Sequence, residues 1–323
     1  MTTSRRFAIS ILIGTLALAS QALPGAPRPA ASSPAGSRIG SPDTPQVNPQ
    51  GKPPSDEEIR TRSEKLLANQ HNNDEAIEQY ERVEHHVDRT SGSTPRTLED
   101  KVYRIVPTGA GTMKIVLRDG GKATSPDAYD QQLHSLADIL RTMANPNDPR
   151  ARAAYAKREK RMRDRAEFVQ ATEDAFIPKW AGTATWNGRA CDVLDLNPNP
   201  NFHPHSMFQD ALQHVTARIW VDRETNQMAR GEAHVMSDIS FGGGILGKLY
   251  RGGVVSMEQA EVAPGIWLPT RYQYDFSGRR FFFAFEQHQL IEASHYSRVG
   301  PPKEALLLVQ SELSSGKTFL ADP

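Results

Sequence analysis

The chain has 323 residues, 38% of them hydrophobic, which is enough for one large core or two modest ones. Its 38 basic and 38 acidic residues balance to zero formal charge, so no global field argues for nucleic acid or an anionic membrane. A lone cysteine, Cys191, excludes an internal disulfide and leaves the core to hold the fold.

The N-terminus reads as an export signal. MTTSRR carries two arginines, FAISILIGTLALA is apolar, and the small residues Ala17, Ala19, Ser20 and Ala22 follow. The apolar run is shorter than the ~20 residues that span a bilayer, so residues 1–22 are predicted to be a cleaved signal peptide. The product is then periplasmic or secreted. Residues 23–54, rich in Pro, Gly, Ser and Ala, are expected to be a disordered leader.

Residues 55–300 are predicted to form a single domain. Ser55 and Glu58 make a capping-box pattern before the helix SDEEIRTRSEKLLANQ, which HNNDEA at 71–76 breaks or rejoins. YERVEHHVD, LEDKVYRIVP and MKIVLRDGG then alternate as an antiparallel meander. A helical insertion at 126–175 follows, in which SPDAYDQQLHSLADILRTM opens on a Ser-Pro start signal. The basic run RARAAYAKREKRMRDR is interspersed with acids and has no aromatic platform, so it reads as a solvated helix face rather than a nucleic-acid stripe.

From Trp180 the chain is nearly all strand. Asn187-Gly188 is the strongest local hairpin signal, and ARIWVD-RETN-QMARGEAHVMSDI is a second hairpin. GVVSMEQAEV, IWLPTRYQYDF and RRFFFAFEQHQL supply three more strands. Alternation in the middle one puts Ile266, Leu268, Thr270, Tyr272, Tyr274 and Phe276 on one face, with Arg271, Gln273 and Asp275 on the other. This predicts a sheet with an apolar and a wet face. The tail, 301–323, contains EALLLVQSEL as a last helix or strand.

Candidate chemistry is sparse. FGGGILGKL holds G-x-x-x-x-G-K from Gly242 to Lys248, but Leu249 stands where a Ser or Thr would hold magnesium, and no helix follows. No nucleotide is expected there; the segment reads as a crossover between strands, with a solvated lysine. His203, His205, His214 and Asp210 match no recognised metal spacing. There is no G-x-S-x-G elbow, and Cys191 reads as a structural thiol. No catalytic residue, cofactor or metal is expected, and the chain is not predicted to be an enzyme.

The segments YERVEHHV, LRDGGKATSP, WNGRACDVLDLNPNP, ARIWVDRETNQMARGEAHVMSDISFGGGILGKLYRGG and EVAPGIWLPTRYQYDFSG resemble the bacterial outer-membrane lipoprotein-sorting-like proteins, related in fold to the periplasmic lipoprotein carriers of the LolA/LppX type. The resemblance spans about residues 75–290 and consists of strand cores and turns rather than an active-site signature. It implies an α+β fold: a curved antiparallel sheet forming an incomplete barrel, with helices on or in its concave face. It also implies an apolar cavity lined from Trp220, Met236, Trp267, Tyr272, Tyr274, Phe281 and Phe283, while Phe241, Leu246 and Leu249 of FGGGILGKL are expected to cover an open end of the core or to form part of the cavity's rim. Two functions follow as expectations. One is a carrier or binding protein for a lipid, acyl chain or lipoprotein. The other is a structural or sensory envelope domain that binds a protein partner.

Overall fold

The computed structural model describes residues 45–49, 53–92 and 94–315. The expected signal at 1–22, most of the expected leader and residues 316–323 lie outside the described residues. In chain order come α1 (Asp56–Ala76), β1 (Tyr80–Arg89), β2 (Thr97–Pro107), β3 (Thr112–Asp119), β4 (Lys122–Ala123), α2 (Pro126–Met143) and α3 (Pro149–Ala175). They are followed by β5 (Phe176–Trp186), β6 (Arg189–Pro198), the single turn α4 (Met207–Asp210), β7 (Val215–Asp222), β8 (Met228–Val235), β9 (Ile239–Phe241) and β10 (Gly247–Leu249). β11 (Val254–Ala263), β12 (Ile266–Arg280), β13 (Phe283–Arg298) and α5 (Pro302–Ser315) complete the chain.

The fold is α+β, and its antiparallel sheet is not closed into a barrel. The hydrogen-bonded order is β4-β3-β2-β1-β13-β12-β11-β8-β7-β6-β5, with β10 pairing both β12 and β9. The residues fall into two compact units. Of the described residues, one comprises those up to His71, between Arg89 and Arg96 and in Arg165–Gln289, and the other those in Asn72–Asp88, Thr97–Asp164 and from Leu290 to Ser315.

In the second unit α2 starts where the sequence signals it. Ser125 Oγ accepts from the Ala128 amide at 3.3 Å, and Pro126 occupies the first turn. Tyr129, Leu133, Leu136, Ala137 and Leu140 recur at helical spacing, so they share one face. That face is buried with Val106 and Ile115 of β2 and β3 and with Ala305 and Val309 of α5. EALLLVQSEL is therefore helix, because its apolar residues complete this core. Arg104 lies within it and is almost fully buried. Its guanidinium donates to Glu81 Oε2, Tyr129 Oη and Glu312 Oε2, each at 2.8 Å. A buried cation needs such pairing, and the cluster ties β1, β2, α2 and α5 together.

In the first unit the Ser55–Glu58 capping box is formed reciprocally: the Ser55 amide donates to Glu58 Oε2 at 2.7 Å and the Glu58 amide to Ser55 Oγ at 3.2 Å. HNNDEA does not break α1, which runs on to Ala76. Across the sheet, Gln70 Nε2 of α1 donates to Gln259 Oε1 at 3.0 Å, Asn69 Nδ2 to the Thr225 carbonyl at 3.0 Å, and Arg62 pairs with Asp192.

Asn187 and Gly188 both have positive φ, 46° and 77°, and close the β5–β6 hairpin as the Asn-Gly pair requires. Part of the expected leader is held here. The Asn48 amide donates to the Thr183 carbonyl at 2.7 Å, and the Thr183 amide returns the bond at 2.9 Å. Gly182 (φ 141°) makes this approach possible, since a Cβ there would lie 2.4 Å from the Asn48 carbonyl oxygen.

The strict alternation expected along β12 is interrupted. The register against β11 shifts between Glu258 and Gln259, and Trp267, Leu268 and Pro269 are all buried in succession. Both faces of the sheet are covered at that end, so the simple division into an apolar and a wet face does not hold there.

Candidate functional site

A cleft of about 970 Å³ opens where α3 passes into β5. Its walls come from the last turns of α3 (Glu167, Gln170, Ala171, Asp174), the start of β5 (Phe176, Ile177, Pro178) and the loop from Asn199 to Gln209. The loop is braced by its own sequence. The Asn199 amide donates to the Ala175 carbonyl at 2.7 Å, and Asn199 Nδ2 donates to the Asp174 carbonyl at 2.9 Å, pinning the loop to the end of the helix. Asn199 Oδ1 accepts from the Asn201 amide at 3.0 Å, an Asx turn. Ser206 and Gln209 cap α4: Ser206 Oγ accepts the Gln209 amide at 3.2 Å, and Gln209 Oε1 accepts the His205 amide at 2.7 Å.

Burial divides the lining by chemistry. Ala171, Phe176 and Phe202 are buried and form an apolar floor, which Ile177 and Pro178 extend outward. Glu167, Asp174, Asn201, His203 and His205 are exposed and form a polar rim. Such a lining suits an amphiphile whose chain lies on the floor and whose head meets the rim.

None of the ten residues expected to line a cavity or rim lies in this cleft. Trp220 and Trp267 are fully packed with Ala184, Cys191, Val193 and Ala229. Trp220 borders a separate, polar cavity of about 330 Å³ with Asp195, Arg218, Glu232 and His234, and Arg230, fully buried, sits 5.5 Å from the centre of the Trp220 ring and 5.0 Å from that of Trp186. Arg230 pairs with Glu232 at 2.9 Å and Glu258 at 2.8 Å, its neighbours on β8 and β11. The Glu232 carboxyl is lowered to about 2 by the His234 hydrogen bond and by Arg230, against the opposing effect of burial.

Tyr272 and Tyr274 stack with ring centres 6.3 Å apart, and Tyr274 is buried edge-on against Phe276. Leu249 is buried, Phe241 is half-buried, and Met236, Leu246, Phe281 and Phe283 are exposed. The glycine segment is the β9–β10 hairpin, with Gly242, Gly243 and Gly244 all at positive φ, so no phosphate-binding strand–loop–helix is built. Lys248 is not merely solvated: its ammonium pairs with Asp238 at 2.8 Å.

Of the histidines, His203 and His205 come together on the cleft rim, whereas His214 bonds Ser237 Oγ at 2.7 Å and faces Asp210. No group of three or more His, Cys, Asp or Glu side chains that could hold a metal occurs among the described residues. Burial and the neighbouring Asp222 push the Cys191 thiol up to about 11, which keeps it protonated and unreactive.

No family model and no curated protein matches the chain. Among solved structures it is similar to an outer membrane lipoprotein-sorting protein domain from Vibrio parahaemolyticus, at 10% identity over 73% of this chain and 92% of that one, with a TM-score of 0.30. It is similar also to a LolA superfamily protein from Nitrosomonas europaea, at 9% identity over 75% and 96%, with a TM-score of 0.31. A DUF1329 family protein from Desulfovibrio piger matches at 12% identity over 72% and 92%, with a TM-score of 0.24. The lipoprotein-sorting group that the sequence resembles is thus represented among these structures. With every TM-score below 0.5, no site residue or activity is carried over from them.

Proposed function

We propose that this chain is a non-catalytic binding or carrier protein of the bacterial periplasm for a lipid or other acyl-chain amphiphile, which it holds in the cleft between α3, β5 and the 199–209 loop. The observation that carries this reading is the division of an approximately 970 Å³ cleft into a buried apolar floor and an exposed polar rim. The volume falls within the range of ligand sites, and each methylene moved from water onto the floor contributes about 0.8 kcal/mol. Micromolar retention, about 8 kcal/mol, therefore takes at least about ten buried methylenes, the length of a fatty acyl chain, while the asparagines, histidines and carboxylates of the rim stay hydrated around the head group.

The test is titration with a fluorescent fatty acid, followed by native mass spectrometry of the protein as purified. Saturable binding is expected. Ile177→Asp, a change on the exposed part of the cleft wall, should weaken it at least tenfold with no change in melting temperature. Binding that Ile177→Asp leaves unaltered would move the ligand elsewhere. The absence of any bound or bindable lipid would end the proposal.

A further inference from the structure

A second feature, distinct from the cleft, is the pair of hairpin tips formed by β9–β10 and β12–β13. The Gly247–Leu249 strand pairs with Gly278–Arg280, and the Phe281 amide donates to the Leu246 carbonyl at 3.2 Å, so the two tips lie side by side. Together they expose Phe281, Phe282, Phe283, Ile245 and Leu246; Phe282 is 89% and Ile245 72% accessible. Apolar side chains this large and this contiguous are uncommon on a surface that meets only water.

The local backbone sharpens the point. β12 and β13 are joined by only two residues, and the first, Phe281, has φ 54°. Short hairpin turns put Gly, Asn or Asp at such positions, because a bulky side chain there is strained. The sequence keeps three consecutive phenylalanines at a place where turn chemistry and solvation both favour glycine or a polar residue. Retained strain of this kind points to a use for the side chains.

The charge around the tips identifies the surface they fit. Arg279 and Arg280 immediately precede the phenylalanines, and Arg251 stands at the foot of β10. The neighbouring acid, Asp238, is engaged by Lys248 and by the Arg251 amide at 2.9 Å. Aromatic side chains at an extremity, backed by arginines, match the layering of a bilayer interface, where rings lie at the acyl boundary and cations meet phosphates. A stable protein interface uses about 20–30 residues a side, many more than these tips present.

We propose that the paired tips dock this protein on an anionic phospholipid bilayer, with Phe281, Phe282 and Phe283 entering the interface and Arg279 and Arg280 facing headgroup phosphates. The docking does not depend on the cleft holding a ligand.

The experiment is co-sedimentation of the full chain with vesicles of phosphatidylglycerol and phosphatidylcholine, compared with phosphatidylcholine alone. Phe282→Ser, which removes no packing, should lower partition onto the anionic vesicles at least fivefold, and Phe282→Ser with Phe283→Ser at least tenfold. Arg279→Gln with Arg280→Gln should abolish the preference for anionic lipid. Phe282→Trp should give indole emission that brominated lipid quenches beyond the wild-type level. Circular dichroism and melting temperature confirm that each variant is folded. Partition unchanged by Phe282→Ser, or equal binding to both vesicle types, would overturn the proposal. So would a dimer in sedimentation velocity that Phe282→Ser dissolves, since the tips would then meet a second copy.

Discussion

Arg230→Met probes the most deeply buried charge of the first unit. The guanidinium is fully buried between the Trp186 and Trp220 rings and reaches Glu232 and Glu258, which are themselves only 13% exposed. Opposite charges about 4 Å apart attract by about 4 kcal/mol at an effective dielectric near 20. Much of the two attractions is offset by the burial of the guanidinium and both carboxylates, so the intact cluster adds little net stability. Methionine fills the slot between the rings but removes the cation shared by two buried carboxylates, and breaking such a cluster from one side costs about 3–5 kcal/mol.

The loss should depend on pH. Glu232 is lowered from 4.5 to about 2, so its share of the stability is complete above pH 4.5 and lost as pH falls through about 2. Without Arg230 the carboxyl titrates nearer its ordinary value, and the penalty should narrow by roughly 1–2 kcal/mol between pH 7 and pH 3. Urea unfolding of wild type and variant at both pH values measures this. Adding Glu232→Gln and Glu258→Gln to the variant should recover most of the loss, because no buried carboxylate is then left facing the methionine. A loss under about 1 kcal/mol at pH 7, or the same loss at both pH values, would refute the electrostatic account.

Three further outcomes are expected. Glu84 is raised by burial but brought down to about 2 by the His86 hydrogen bond and the charges of Arg82 and His86, so its contribution is present above pH 4.5 and lost through about pH 2; Glu84→Gln should destabilise the protein at pH 7 and much less at pH 3 in parallel urea titrations. Phe281→Gly relieves a left-handed φ on a bulky residue and should stabilise the fold by about 1 kcal/mol in thermal unfolding, while weakening vesicle binding. A lower melting temperature would show that the turn is not strained. Cys191, fully buried with its thiol raised to about 11, should resist a disulfide reagent at pH 8 in the native protein and react once urea unfolds it. Rapid native labelling would contradict the burial.

Much of the local architecture is legible in the sequence. Ser55 with Glu58 and Ser125 with Pro126 announce two helix starts, and Asn187-Gly188 announces a hairpin, because caps and tight turns depend on residues a few positions apart. The alternating strands indicate antiparallel pairing, and the resemblance to the lipoprotein-sorting group implies the open α+β sheet that the structure has. The candidate site was less visible. Phe176, Ile177 and Pro178 stand at a helix–strand junction and Phe202 in the N-F-H-P-H loop, a weak signal, since nothing in their spacing shows that the two segments meet.

Tertiary structure also decided what the tryptophans do. Pairing of β7 with β8 sets Trp220 opposite Arg230, so that the guanidinium packs against its ring. A shift in register on β12 breaks the alternation that assigned its faces, and no period-two reading anticipates an inserted residue. The phenylalanines at 281–283 and the greasy end of FGGGILGKL lie about 35 positions apart in sequence, and only the pairing of β10 with β12 makes them one surface. By itself the sequence determined the main helices and strands, the cap at Ser55 and the Asn187-Gly188 turn, and that the chain carries no net charge. Long-range strand pairing decided which side chains meet, because register and bulges are set by the partner strand and not by the residues nearby.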